Sequence, residues 1–385
     1  MTNNKDKKVL NVPNLRFQEF TGEWKKERLD EIAELSKGIG ISKEQLSSNG
    51  NPCILYGELY TKYKSEIISE VISKTNIEKN KLKHSKQNDV IIPCSGETAV
   101  DIAVARCVPF DNVLLGGDLN IIRLHKYDGA FMAYQLNSKR KIEIAKLAQG
   151  VSVVHLYGEN LKSINTFNPS LQEQQKIVRL LSLLDERIKV QNKIIEDLKK
   201  LKSAIYQELF SNLQGEEKSL SELAEITKGQ QVNGNQLNEN GKYYVMNGGI
   251  MPSGYYDDYN TEAGTISISE GGNSCGYVQY NKSKFWSGGH CYTLHIKPTA
   301  RISTLFLFHF LKWKEEDIMA LRIGSGLPNI QKKDLSKVRI IVPTFDKQQR
   351  LIALLSTLQM KIEYEEMYTI NLDKQKLHLL SQMFI

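Results

Sequence analysis

The 385-residue chain has no apolar run near the ~18 residues that a bilayer span requires, and its start, MTNNKDKKVL, is polar and basic with no apolar core. That pattern argues against a spanning helix or a secretory leader and predicts a cytoplasmic protein without a membrane partner. Its five cysteines, Cys53, Cys94, Cys107, Cys275 and Cys291, make no C-x-x-C pair, so neither a disulfide framework nor a zinc site is indicated. His290, Cys291 and His295 lie close together, yet residues 290 and 295 of one strand would face opposite sides, and no metal is expected. Catalytic signatures are missing as well: there is no G-x-x-x-x-G-K, no H-E-x-x-H, and no N/D-P-P-Y/F, since Asn51-Pro52 and Asn168-Pro169 lack the second proline. Gly38-Ile39-Gly40 has no third glycine and no strand before it, and reads as a helix cap and turn. No pair of carboxylates is singled out by spacing. A chain without chemistry of its own is the expectation.

What is present is a long stretch free of glycine and proline. After Pro169 the sequence from Ser170 to Leu213 returns apolar residues on a coiled-coil period: Ile177, Leu181, Leu184, Ile188, Ile195, Leu198, Ile205 and Leu209, with Gln191 and Lys202 as polar interruptions. Ser170 with Glu173 forms a capping-box pattern at its start. At about 1.5 Å per residue this is a rod of roughly 60 Å, too long to stand without a partner.

The partner is in the same chain. An offset of 174 lays Pro169 on Pro343, Gln174-Gln175 on Gln348-Gln349, and the stripe on Leu351, Leu355, Leu358, Ile362, Leu372, Leu379 and Met383. Gln191 then meets Glu365, Lys202 meets Lys376 and Phe210 meets Phe384. The segments ahead of the rods repeat too. LDEIAELSKG (29–38) matches LSELAEITKG (220–229) at an offset of 191, and both are expected to be helices closed by glycine. DVIIPCSGE (89–97) and GTISISEGG (264–272) each read as a strand running into a glycine loop, followed by a second strand, DIAVARCV from Asp101 in one and GYVQY from Gly276 in the other. LGGDLNIIRLH at 115 and SGGHCYTLHIK at 287 read as a Gly-Gly turn feeding a strand. The fold class predicted is α+β: two globular mixed α/β bodies in tandem, each followed by a long helix, the helices pairing as an antiparallel coiled coil with internal pseudo-two-fold symmetry. The boundaries are a disordered start at 1–13, a first body at 14–168, a central spacer helix at 169–213, a second body at 214–342 and a C-terminal spacer helix at 343–385.

Lys+Arg 51 against Asp+Glu 44 gives a net charge of +7, which suits a nucleic-acid partner without establishing one. The glycine loops 95–98 and 270–274 read as hairpin turns, or as contact loops on a fixed frame. Basic, amide and aromatic residues near them supply phosphate positioning and base-edge contacts. The DNA-contact candidates are Lys37, Lys43, Tyr56, Ser95, Glu97, Thr98 and Arg106 in the first body. In the second they are Lys228, Gln230, Asn247, Asn273, Ser274, Lys282 and Lys284. The helix-interface candidates are Ile177, Leu181, Leu184, Ile188, Leu198, Leu351, Leu355, Leu358, Ile362 and Leu372.

With the duplication in hand, the pattern resembles the specificity subunit of a Type I restriction-modification system. The resemblance is carried by Gly324-Ser325-Gly326-Leu327-Pro328-Asn329-Ile330, by Pro343 followed by Gln348-Gln349 and the long helix, and by Gly150, Pro169, Gln172-Glu173-Gln174-Gln175 and the central helix. It spans nearly the whole chain. Lys347-Gln348 departs from the Glu-Gln pair that opens the first rod as Glu173-Gln174, and Val153-Val154-His155 stands where the second half has Leu327-Pro328-Asn329. The resemblance implies two target recognition domains, each reading one half of a bipartite, asymmetric target in double-stranded DNA. It also implies a helical spacer that docks two methyltransferase subunits, and restriction/translocase subunits that complete the complex. S-adenosylmethionine, ATP and Mg would then reside on those partners and no cofactor on this chain. Two other classes compete: a self-sufficient DNA methyltransferase or nuclease with unrecognised motifs, and a coiled-coil scaffold that binds no nucleic acid.

Overall fold

A computed structural model describes residues 10–324 and 326–385. Residues 1–9 of the expected unfolded start, and Ser325 of the Gly324 to Ile330 run, lie outside the described residues. Residues 10–13 do not hang free: the Asn11 carbonyl accepts from Trp24 N at 2.8 Å and Pro13 is buried.

Two helices, Leu171–Ser211 and Phe345–Met383, form because neither contains glycine or proline and both repeat apolar residues in steps of four and three. The chain divides into two compact units, residues up to 192 with 367–385, and 193–366. Each unit therefore holds one body and a stretch of both long helices.

In the first unit Ile177 and Leu181 pack with Leu380, Met383 and Phe384, Lys376 meets Asp185 at 2.6 Å, and Arg187 donates to the Tyr368 hydroxyl at 2.5 Å. In the second, Lys202 donates to Gln359 Oε1 at 2.6 Å, Lys199 meets Glu366 at 2.6 Å, and Tyr206 and Phe210 pack with Leu351 and Leu355. Within each unit, residue numbers rise along one helix as they fall along the other, so the pairing is antiparallel. Among the interface candidates Ile177, Leu181, Leu351, Leu355, Ile362 and Leu372 are buried, while Leu184, Ile188, Leu198 and Leu358 are half-buried. Each fully buried apolar side chain contributes roughly 1.5–3 kcal/mol before entropy. The polar interruptions Gln191 and Glu365 are buried too.

The bodies share one frame. In the first, antiparallel strands lie in the order Ala33–Lys37, Leu119–Leu124, Asp89–Pro93, Arg106–Val108. In the second the order is Ala224–Lys228, Cys291–Ile296, Thr265–Ser269, Val278–Asn281. A helix covers each sheet, Gly129–Asn137 in one and Thr304–Trp313 in the other. The bodies diverge in a further sheet, five-stranded in the first unit and three-stranded in the second.

A glutamine locks each body to its rod. Gln174, fully buried, accepts from Asp128 N at 2.9 Å and donates to Pro169 O at 2.9 Å. Gln348, equally buried, accepts from Ser303 N at 2.8 Å and donates to Pro343 O at 3.0 Å. An amide is needed because one side chain must both accept and donate. Ser170 Oγ accepts from Glu173 N at 3.3 Å, but Glu173 completes no capping box; its carboxylate takes Arg16 at 2.7 and 2.8 Å and the Trp24 indole at 3.2 Å instead.

Three local expectations are corrected. LDEIAELSKG and LSELAEITKG are not continuous helices: only Leu29–Ile32 and Leu220–Leu223 are helical, and the chain turns extended at Ala33 and Ala224. Pairing with Leu119–Leu124 and Cys291–Ile296 outweighs a local helix preference of a few tenths of a kcal/mol per residue. Gly38 is accordingly no helix cap; a Cβ there would stand 1.9 Å from Gly116 O, so the residue answers a close backbone approach. The segment from Asp101 ends a short helix, Ala99–Ile102, before the strand begins at Arg106.

Candidate nucleic-acid interface

In each unit the end of the frame strand reaches the Gly-Gly turn ahead of the strand beside it. Gly38 N donates to Leu119 O at 2.9 Å and Gly229 N to Cys291 O at 2.8 Å. Lys37 is paired with Asn120 and Lys228 with Tyr292, so each lysine lies diagonally across from the residue that closes the turn, Asp118 in one body and His290 in the other. The glycine loop packs on the same spot: Cys94 N donates to Asp118 O at 2.7 Å, and Glu270 N to His290 O at 2.9 Å. A third segment closes each site, Leu156 N on Cys94 O at 2.7 Å and Ile330 N on Glu270 O at 2.8 Å. Positions 37, 94, 118 and 156 are thus the counterparts of 228, 270, 290 and 330.

The side chains in this shared geometry differ. In the first unit Lys37 stands 3.3 Å from Asp118 Oδ1, and Ser95 Oγ donates to Asp118 Oδ2 at 3.2 Å. Asp118 holds a left-handed φ of 56°, which aspartate tolerates better than most residues, and its side chain is 47% exposed. Burial pushes the neighbouring Cys94 thiol up to about 11, so it stays protonated.

In the second unit Glu270 is the hub. Its Oε1 accepts from Lys228 Nζ at 2.5 Å and from the Tyr292 hydroxyl at 3.2 Å, while Oε2 is enclosed without a hydrogen-bond partner. His290 Nδ1 stands 3.5 Å from that oxygen, its side chain 63% exposed. Burial and the Glu270 charge push the Tyr292 phenol up to about 12. Asn247 Oδ1 accepts from His290 N at 3.0 Å, and a Cβ at Gly288 would stand 2.6 Å from the same oxygen, so glycine is required for the turn to close on Asn247.

The structure thus gathers Lys37, Ser95 and Asp118 in one unit, and Lys228, Asn247, Glu270 and His290 in the other, with Asn273 and Ser274 following in the same glycine loop. Gln230 lies alongside, its N donating to Ser287 O at 2.8 Å. Glu97 and Thr98 are exposed past the first loop; Thr98 caps Ala99–Ile102 by accepting from Asp101 N at 3.2 Å. Lys43 is exposed in the short helical turn Lys43–Gln45, and Tyr56 is half-buried against the first body's core. Lys282 is directed to Glu363 of the second long helix at 3.2 Å, and Lys284 to Tyr259 at 2.7 Å and Glu262 at 3.2 Å. Arg106 leaves the candidate set: it is buried, its guanidinium donating to Tyr63 O at 2.9 Å, and it offers no face to a phosphate. The loops are hairpin connections as expected, 94–105 joining Asp89–Pro93 to its antiparallel neighbour Arg106–Val108 and 270–277 joining Thr265–Ser269 to Val278–Asn281. Each is longer than a tight turn and pairs with a third segment, Ser95–Gly96 with Val154–His155 and Gly271 with Asn329; of the two, the loop holding Gly272 (φ 79°) has the left-handed glycine. Asp118, Glu270 and His290 were absent from the sequence candidates, although Asp118 and His290 each close a Gly-Gly turn that the repeat aligns. Among the described residues no cluster of His, Cys, Asp and Glu could hold a metal ion, and no helix is long and apolar enough to cross a membrane.

A model of the Type I restriction modification DNA specificity domain matches residues 21–200 and again 213–372. A protein named as a type I specificity subunit in Mycoplasma pneumoniae is 34% identical over 157 residues, 40% of this chain and 42% of the relative. One so named in Mycoplasma genitalium is 32% identical over 145 residues, 38% of each chain. The chain spans less than half the length of these relatives in the matched region. The crystal structure of a Type I restriction-modification system S subunit from M. genitalium superposes with a TM-score of 0.66, covering 97% of this chain and 99% of that one at 22% identity, a likeness of fold.

Proposed function

Because the chain belongs to the family of Type I restriction modification DNA specificity domains, we propose that it reads a bipartite, asymmetric DNA target, one half with each unit, for a complex whose methylation and cleavage are performed by other subunits. The observation that carries this is the repetition of one four-stranded frame with unlike side chains at equivalent positions: Lys37 and Asp118 in one unit, Lys228, Glu270 and His290 in the other. A fixed frame with exchanged loops reads different sequences without changing its fold.

Partner docking is supported by a second apolar stripe on the long helices. Leu180, Leu183, Val190, Met367, Ile370 and Leu377 are exposed in the first unit, as are Leu201, Leu354, Met360 and Tyr364 in the second. Exposed apolar surface on this scale suits protein subunits, here two methyltransferases and, with them, the restriction subunits. S-adenosylmethionine, ATP and Mg then belong to those partners, and this chain determines where methylation falls.

The test is to map methylated adenines in a host that carries the chain and its partner subunits, and to measure duplex binding by the purified chain against salt. The expected result is a two-part sequence with an internal gap, and affinity that falls steeply with salt. Methylation by the isolated chain, or affinity indifferent to salt, would overturn the proposal.

A further inference from the structure

Asp118 and His290 occupy one place in the shared frame, the residue that closes the Gly-Gly turn, and both present an acceptor outward. For Asp118 the acceptor is the carboxylate, held by Lys37 at 3.3 Å and Ser95 at 3.2 Å, with lone pairs to spare. For His290 it follows from Glu270. The enclosed Oε2 lacks a donor, and the group beside it is His290 Nδ1 at 3.5 Å. A buried carboxylate oxygen is satisfied by Nδ1–H, and an imidazole that carries its proton on Nδ1 has an unprotonated Nε2 on the far side of the ring. An outward acceptor has no bond to make with a phosphate oxygen. In the major groove it matches the exocyclic amino groups of adenine and cytosine. The lysine beside each residue, Lys37 or Lys228, offsets the repulsion between carboxylate and DNA backbone.

We propose that Asp118 and His290 are base-reading residues, one in each half of the target, that accept a hydrogen bond from an adenine or cytosine amino group, and that Glu270 is the positioning residue fixing the His290 tautomer. This rests on the DNA-reading function proposed above.

The test selects bound sequences from a pool of synthetic duplexes randomised over the mapped target, using the full chain with its methyltransferase subunits. Wild type is compared with Asp118→Asn, His290→Ala and Glu270→Gln. Asparagine tolerates the left-handed backbone at 118, so that variant keeps the turn. Asp118→Asn is expected to relax preference about 5- to 10-fold at one adenine or cytosine of one half-site, and His290→Ala at one position of the other half. Glu270→Gln should broaden that second position toward bases bearing an acceptor, because either imidazole nitrogen then carries the proton. The half-site left unchanged reports that each variant is folded. Base preferences identical to wild type in Asp118→Asn and His290→Ala would overturn the assignment while leaving the DNA-reading function standing. A wild-type selection with no preferred sequence would overturn both.

Discussion

Lys376 Nζ lies 2.6 Å from Asp185 Oδ1, joining the C-terminal part of one long helix to the N-terminal part of the other, and 2.6 Å from Glu66 of the first body. The Lys376 side chain is 13% exposed, and Tyr134 and Ser65 also donate to Asp185, at 2.6 and 2.9 Å. The counterpart in the second unit is neutral: Lys202 faces Gln359.

Removing one partner from such a cluster strands a buried charge. Asp185→Asn or Lys376→Met is expected to lower stability by about 3–5 kcal/mol, and Lys202→Met by much less, since burial and the nearby Lys312 charge lower the Lys202 pKa and its hydrogen-bond partner is an amide. Urea denaturation of the full chain checks the order; equal losses at 376 and 202 would contradict it. Burial disfavours the Lys376 cation, but Glu66 and Asp185 outweigh that and raise its pKa. The stabilisation is therefore complete below the unfolded lysine pKa of about 10.4 and is lost only as pH rises through the higher folded value.

His309 supplies the opposite dependence. Burial, reinforced by the Lys202 charge, depresses its imidazole to about 4, and the ring shares a 2.6 Å hydrogen bond with the Tyr206 hydroxyl. Between the unfolded value near 6.5 and the folded value the unfolded chain binds the extra proton, so stability rises with pH across that window and falls as acid is added. Roughly 3 kcal/mol is at stake over the full range. Melting from pH 4.5 to 7 should show this slope, and His309→Phe should flatten it.

Arg106 and Lys43 separate structural from electrostatic cations. Lys43→Ala is expected to reduce the salt slope of duplex binding by about one unit and leave melting unchanged. Arg106→Met leaves the Tyr63 carbonyl without its donor, while Ala105 O keeps the Asn137 amide at 2.9 Å, and should cost roughly 1–3 kcal/mol of stability with the slope intact. A change of slope at Arg106 would return it to the DNA surface.

The long helices and their pairing were legible because a four-three repeat over some forty residues is a strong periodic signal, and the 174 offset aligned even the polar interruptions. The frame sheet was legible only in part. Ala33 to Lys37 scores as helix locally, and its strand state depends on Leu119–Leu124, more than eighty residues away. The candidate site failed in a similar way at Arg106, where a basic residue near a loop in sequence lies inside the core. Asp118 and His290 were visible as the residues after each Gly-Gly pair, but their partners Lys37 and Glu270 come together only through strand register.

A fragment of residues 1–213 tests the duplication itself. It loses 367–385, whose Phe384 packs in the first unit against Phe131 at 5.3 Å and Trp24 at 6.4 Å, and whose Leu380 and Met383 lie on Ile177 and Leu181. It keeps Phe210, which the 174 offset equates with Phe384 and which in the second unit meets Phe306 and Phe310 at 6.1 and 5.6 Å. A second copy can therefore supply Phe210 to the vacated aromatic slot and Lys202 to the carboxylates of Asp185 and Glu66, in place of Lys376. The interface is self-complementary, so two copies close it with two-fold symmetry. The fragment is expected to sediment as a dimer and, with methyltransferase subunits, to modify an inverted repeat of the first half-site, because two identical readers related by a two-fold axis meet the same sequence on opposite strands. Asp185→Asn should weaken the dimer by leaving each Lys202 short of a carboxylate, and Phe210→Ala should weaken it by emptying the slot. A stable monomer, or methylation of an asymmetric sequence, would show that the halves are not interchangeable at these positions.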